Sequence, residues 1–135
     1  MPINLPFLLH PNSLWLARLL LACYCGLIIY LSLMPVGEQM PVQIWDKAAH
    51  ALAYIGFTCI AALCTVNKKH YIFYLLGFLI FGIGIELAQG MTSYRSFSLL
   101  DMVANTAGVF IGFILCLLTN KLFQLPCFAQ SKNLR

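Results

Sequence analysis

The 135-residue chain is 61% apolar and only 9% charged, with 8 basic and 4 acidic residues and a net charge of +4. A soluble globular domain averages about 45–50% apolar and about 25% charged, so this chain has too few ionised groups to cover a water-facing surface. The apolar excess equally excludes a disordered or fibrous chain, and the solvent it implies is a lipid bilayer.

Charge spacing locates the elements. The uncharged stretches run Leu19–Gly37, Ala48–Asn67, His70–Ile85 and Met102–Asn120, which is 19, 20, 16 and 19 residues. A helix crossing about 30 Å of hydrocarbon needs ~20 residues, with about 17 as the usual minimum. All four therefore read as spans, the third only if it continues through Glu86 to about Gln89. Backbone groups in lipid must be satisfied within the segment, and no alternating barrel strands occur, so the expected fold is all-α. The spans are placed at about 14–34, 47–66, 70–89 and 99–119, forming a four-helix transmembrane bundle and a single domain over 1–135.

Local signals set the ends. Asn12 or Ser13 starts the first helix with Trp15 at the interface, and Pro35 with Gly37 ends it. This helix reads as retained, because only Arg18 precedes its apolar run and no small-x-small cleavage site follows Ser32-Leu33-Met34. Trp45 anchors the second span. His70 and Tyr71 open the third and Gly90 stops it. The loop 91–97 is short and polar, and the tail Lys121–Arg135, interrupted by Pro126, reads as interfacial or loose.

An alternating four-helix path puts Arg18, Lys68, Lys69, Lys121, Lys132 and Arg135 on one side and Lys47 with Arg95 on the other. The positive-inside rule makes the first side cytoplasmic, with both termini inside. All four acids, Glu38, Asp46, Glu86 and Asp101, then fall on the outer side. The net charge is a topology signal, and no basic helix or aromatic-interleaved patch points to nucleic acid.

Three spans carry polar residues on one face each. Asp46, His50 and Tyr54 follow i, i+4, i+8; Glu86 and Gln89 follow i, i+3; Asp101, Asn105, Gly108 and Gly112 follow i, i+4, i+7, i+11. A charge at the membrane centre costs about 2.5–3.5 kcal/mol even on lenient scales, so such groups face the bundle interior and one another. The spacing thus predicts a shallow outer polar cavity. Structural roles compete at several positions. Asp46 suits an N-cap, Ser98-Leu99-Leu100-Asp101 reads as a capping box, Asn105 suits interhelical hydrogen bonding, and Gly108 with Gly112 suits helix packing. His50 suits a satisfied interior imidazole, and Tyr54 suits core filling. Glu86 has no capping role. It lies near a helix C-terminus that disfavours an anion, and the spacing predicts a cationic partner among Lys47, Arg95 and His50.

Sharper chemistries find little support. The six cysteines form no C-x-x-C pair, and five read as small apolar helix residues. A metal site from His50, Asp46 and Glu86 is geometrically conceivable, but H-E-x-x-H is absent, and no metal or cofactor is expected. There is neither a G-x-S-x-G motif nor a phosphate-cradling glycine loop.

Taken together, Asp46-Lys47-x-x-His50-x-x-x-Tyr54, Glu86-x-x-Gln89, Arg95 and Asp101-x-x-x-Asn105-x-x-Gly108-x-x-x-Gly112 resemble the pattern of the VanZ-like family of small bacterial membrane proteins. The Tyr30-Leu31-Ser32-Leu33-x-Pro35 end of the first helix is similar to that family too, so the resemblance spans about residues 28 to 112. It implies a four-helix protein of the bacterial cytoplasmic (inner) membrane whose namesake confers low-level resistance to the glycopeptide teicoplanin. The residues themselves suggest binding or remodelling of a lipid-linked or headgroup ligand. In that reading Lys47 and Arg95 contact its phosphate or carboxylate, and Asp46, Glu86, Asp101 and Asn105 hold those cations. The partners expected are membrane lipids, a lipid-linked cell-wall precursor or an anionic headgroup, and a homo-oligomer is compatible with the glycines. The alternative is an enzyme with His50 as general acid or base, tuned by Asp46 or Glu86. A transporter is the weakest reading, because the inner halves of the spans lack matching ionisable groups.

Overall fold

The computed structural model of the chain describes residues 11–35, 43–65 and 67–123, and every regular element among them is an α-helix. These are α1 Pro11–Leu33, α2 Gln43–Cys64, α3 Lys68–Gly90 and α4 Leu99–Phe123. Each has 22 to 25 residues, which at 1.5 Å per residue gives about 33 Å or more, enough to cross a hydrocarbon core. All four contain a stretch long and apolar enough to span a membrane. The protein is a multi-pass, all-helical membrane protein.

Helices α1, α2 and α3 begin earlier than the charge pattern suggests. Helix α3 starts at Lys68 because the Asn67 side chain accepts from the Lys69 N–H at 2.8 Å and caps it. It then runs unbroken through Glu86 to Gly90, as the 16-residue uncharged stretch required. Helix α2 starts at Gln43, so Asp46 lies inside its first turn and is not its N-cap. Helix α4 starts after Ser98, whose hydroxyl accepts from the Asp101 N–H at 3.3 Å. Glu38, the Trp45 side chain and the tail beyond Phe123 lie outside the described residues and side chains.

The core is aromatic. Phe57 on α2 is fully buried, and its ring meets Tyr24 of α1 at 4.8 Å, Phe78 of α3 at 4.8 Å and Phe81 of α3 at 5.5 Å between centroids. One ring thereby joins three helices through edge and stacked contacts, each adding about 0.5–1.5 kcal/mol beyond area burial.

The closest pairing is α2 with α4, and glycine makes it so. A Cβ at Gly108 would strike the Ala51 carbonyl and stand 2.9 Å from Tyr54 Cβ, and one at Gly112 would stand 2.7 Å from Thr58 Cβ. In lipid, where burying Leu against Leu gains little over Leu against acyl chain, such close backbone approach is the main source of helix attraction.

The bundle has two chemically distinct ends. At one, Arg18 Nε donates to the Cys64 carbonyl at 3.3 Å, beside the turn that leads to Lys68 and Lys69. At the other lie the start of α2, the end of α3, the loop carrying Arg95 and the start of α4, and here Asp46, Lys47, Glu86, Arg95 and Asp101 gather.

Candidate functional site

The site is built on two facing pairs of residues, each with i, i+4 spacing. Asp46 and His50 lie one turn apart on α2, and Asp101 and Asn105 lie one turn apart on α4. The glycine contacts one to two turns deeper bring the two helices close enough for the pairs to meet. Lys47 Nζ donates to Asp101 Oδ1 at 3.3 Å. His50 Nδ1 lies 3.0 Å from Asn105 Oδ1, the geometry of an imidazole N–H donating to an amide oxygen and leaving Nε2 as the basic nitrogen.

The loop before α4 adds a cation. Arg95 Nη1 stands 3.9 Å from Asp46 Oδ1, an ion pair too long for a hydrogen bond. The Arg95 side chain is 19% exposed, and its Nε–H is buried with no partner among the described residues.

Helix α3 contributes Glu86, which is 0% exposed. Its Oε2 accepts from the Ser98 main-chain N–H at 3.2 Å, while Oε1 has no partner among the described residues. This explains the Ser98–Asp101 motif. In a full capping box the acid at the third helical position turns back to the Ser98 N–H. Here Glu86 takes that donor from the neighbouring helix, and Asp101 is left to hold Lys47. The cationic partner expected for Glu86 is therefore replaced by a main-chain N–H, because Lys47 and Arg95 are engaged by Asp101 and Asp46. Asp46, His50 and Asp101 remain within electrostatic reach of Glu86.

Below this layer, Tyr54 and Asn105 are 2% exposed. The Tyr54 hydroxyl and Asn105 Nδ2 both crowd Gly82 of α3, where a Cβ would stand 2.8 and 3.2 Å from them. Neither atom has a hydrogen-bond partner among the described residues. Gly82 was not singled out by the sequence reading, although its place one turn before Glu86 on the same face was a usable signal. The Ser98 cap is legible in the sequence, whereas its main-chain bond to Glu86 on another helix has no local signal.

Gln89 departs from the expected grouping. It is buried, but its Nε2 donates to the Ser32 carbonyl of α1 at 2.9 Å. Together with Tyr94, whose hydroxyl donates to the Leu33 carbonyl at 2.7 Å, it satisfies two of the open carbonyls at the C-terminal end of α1. The structure thus brings together Asp46, Lys47, His50, Glu86, Arg95, Asp101 and Asn105, with Tyr54 directly beneath and Gln89 turned away. Gly108 and Gly112 are packing residues.

A protein-family profile described as VanZ/LLP1 matches residues 7–120, which contain all of these side chains. No curated protein matches the chain, and no solved structure does.

Proposed function

The chain belongs to the VanZ/LLP1 family, and from that premise we propose that it is a cell-envelope protein of the bacterial cytoplasmic membrane that binds or remodels an anionic lipid at the polar end of its bundle. That end faces outward and both termini face the cytoplasm, as the distribution of Lys and Arg favours. The ligand is a lipid-linked precursor or a phospholipid presenting phosphate or carboxylate at headgroup depth.

One observation carries the reading, namely unused donor capacity on two anchored cations. Arg95 Nε is buried with no partner among the described residues, and Arg95 meets Asp46 only at 3.9 Å. Lys47 contacts Asp101 through one of its three possible donor hydrogens. A phosphate placed between them receives a guanidinium fork and an ammonium, the pairing that suits its geometry.

The test is lipid binding by the protein in phosphatidylcholine nanodiscs, titrated with a polyprenyl phosphate and with the matching neutral alcohol. Arg95→Ala and Lys47→Ala are each expected to weaken phosphate binding by about tenfold or more, the scale of a lost hydrogen bond to a charged group. Equal binding of phosphate and alcohol by the wild type, or unchanged binding in both variants, rejects the proposal. A link to glycopeptide resistance rests on the family resemblance alone. It is read out as a rise in teicoplanin tolerance of a susceptible host expressing the wild type but not Arg95→Ala.

A second reading, acid–base chemistry at His50 on a lipid substrate, is favoured by the Asn105 contact that orients the imidazole. His50→Gln separates the two. A binder keeps most of its lipid affinity, whereas a catalyst loses turnover by roughly 10²–10⁴-fold.

A further inference from the structure

We propose that Asp46, His50 and Asp101 form a divalent transition-metal site of the Zn²⁺ class, with three protein ligands and an open position toward the membrane surface. One ligand atom from each of the three lies within 4.8 Å of the other two. In a tetrahedral site with bonds of about 2.0–2.2 Å, ligand atoms stand about 3.4 Å apart. Side-chain rotation by Asp46, 45% exposed and held by Arg95 only at 3.9 Å, works toward closing that gap.

Three further features point to a metal and to its kind. His50 and Asp46 are i, i+4 on one helix face, the spacing by which a helix presents two ligands to one ion. Next, Asn105 Oδ1 holds His50 Nδ1 at 3.0 Å, the outer-shell contact that fixes the tautomer of a metal-binding imidazole. Finally, Glu86 is wholly buried, with Oε1 unpartnered among the described residues, and all three members of the cluster lie within electrostatic reach of it. Three carboxylates, Asp46, Glu86 and Asp101, thus share one end of the bundle with two cations, Lys47 and Arg95. An imidazole beside two carboxylates selects Zn²⁺-type ions over Ca²⁺ or Mg²⁺, which favour all-oxygen sites. This departs from the sequence reading, which expected no metal and grouped His50 with Glu86; here Asp101 takes that ligand position and Glu86 lies behind it.

The proposal is independent of lipid binding and makes an opposite demand on one residue. Lys47 holds Asp101 at 3.3 Å, so its removal frees a ligand. The experiment is Co²⁺ titration of the full-length protein in phosphatidylcholine nanodiscs, followed by visible absorption and by Zn²⁺ displacement. The wild type is expected to take up one saturable equivalent with the bands of a four-coordinate nitrogen–oxygen site. His50→Gln and Asp101→Asn are expected to weaken binding by 100-fold or more, and Asn105→Ala by about 10–100-fold. Lys47→Ala is expected to tighten it severalfold while weakening phosphate binding. His70→Gln, at the opposite end, serves as the control and is expected to change nothing.

No saturable uptake by the wild type, a thiolate spectrum that persists in His50→Gln, or wild-type affinity in the ligand variants overturns the site. Should a ligand variant fail to fold, Lys47→Ala decides, since unchanged or weaker metal binding there also overturns it. Loss of phosphate binding with metal uptake intact rejects the lipid reading and leaves the metal site standing.

Discussion

Helix α4 meets α2 through two glycines and a layer of charged and amide side chains, whereas α1 is held by side chains that donate to main-chain carbonyls. The first contact leaves Gly108 and Gly112 no room for a Cβ and places Lys47 on Asp101 and His50 on Asn105. The second uses Arg18 on the Cys64 carbonyl, Tyr24 on Ala53, Gln89 on Ser32 and Tyr94 on Leu33. Helix α1 is also the least buried span, with 11% of its most apolar window inside the bundle against 28–33% for the others. Lipid competes well for the apolar side chains of α1, so polar tethers fix its place. The α2·α4 pair gains from backbone approach that lipid cannot match, and that approach brings two polar faces close enough to position a multi-residue site.

The largest effect that tests this contrast is expected at Gly108. Gly108→Val drives a branched side chain into the Ala51 carbonyl and the Tyr54 Cβ. Both obstacles are backbone or near-backbone atoms that cannot rotate away. Overpacking of this kind costs about 1–3 kcal/mol, occasionally more, and folded yield and unfolding midpoint in detergent should both fall. A wild-type midpoint would mean that α2 and α4 are not locked at this level.

Next in size is Glu86→Ala, which strips the Ser98 N–H of its acceptor at the start of α4. An unsatisfied buried donor costs about 1–3 kcal/mol. Glu86→Gln retains an acceptor oxygen and should lose less, while Glu38→Ala should change folded yield little. Equal yields for Glu86→Ala and Glu38→Ala would contradict the network.

A double-mutant cycle on Lys47 and Asp101 follows, with an expected coupling of about 1 kcal/mol, since Lys47 is 32% exposed and its partner 8%. The same cycle on Arg95 and Asp46 should come out nearer zero, because that pair stands at 3.9 Å with Asp46 half exposed. Reversed ranking would show that the loop, and not the α2·α4 face, holds the cations. On the α1 side, Tyr24→Phe removes the bond to the Ala53 carbonyl and should cost about 0.6 kcal/mol, the average for interhelical hydrogen bonds in membranes.

How much of this was legible in the sequence follows from the physics of each feature. The four spans were readable because the bilayer penalises charges, which makes their spacing a ruler, and α3 had to run past Glu86 simply to be long enough. Which faces carry polar groups was readable because helical periodicity is fixed. Partner choice was not. Spacing put Glu86, Lys47, Arg95 and His50 at one end, but which cation meets which acid depends on helix rotation and rise that no local pattern encodes. Glu86 chose a main-chain N–H, Gln89 turned to α1, and Gly82 mattered only once Tyr54 and Asn105 were seen to crowd it.

The smallest expected effect lies on the outer face of α3. At Gly77 and Gly84 an added Cβ meets nothing within 4 Å, and the two positions, seven residues apart, share one side of the helix. Alanine exceeds glycine in helix propensity by about 0.8–1.0 kcal/mol in water-exposed hosts. Gly84→Ala should therefore be neutral or slightly stabilising in an unfolding assay, in opposition to the loss at Gly108. The sign is the informative part, because two glycines in like helices are predicted to respond oppositely according to what stands opposite them. A loss at Gly84 comparable to that at Gly108 would mean that this face is covered in the membrane, and cross-linking from Ile80→Cys, at a residue 71% exposed within one chain, would then show whether a second copy covers it.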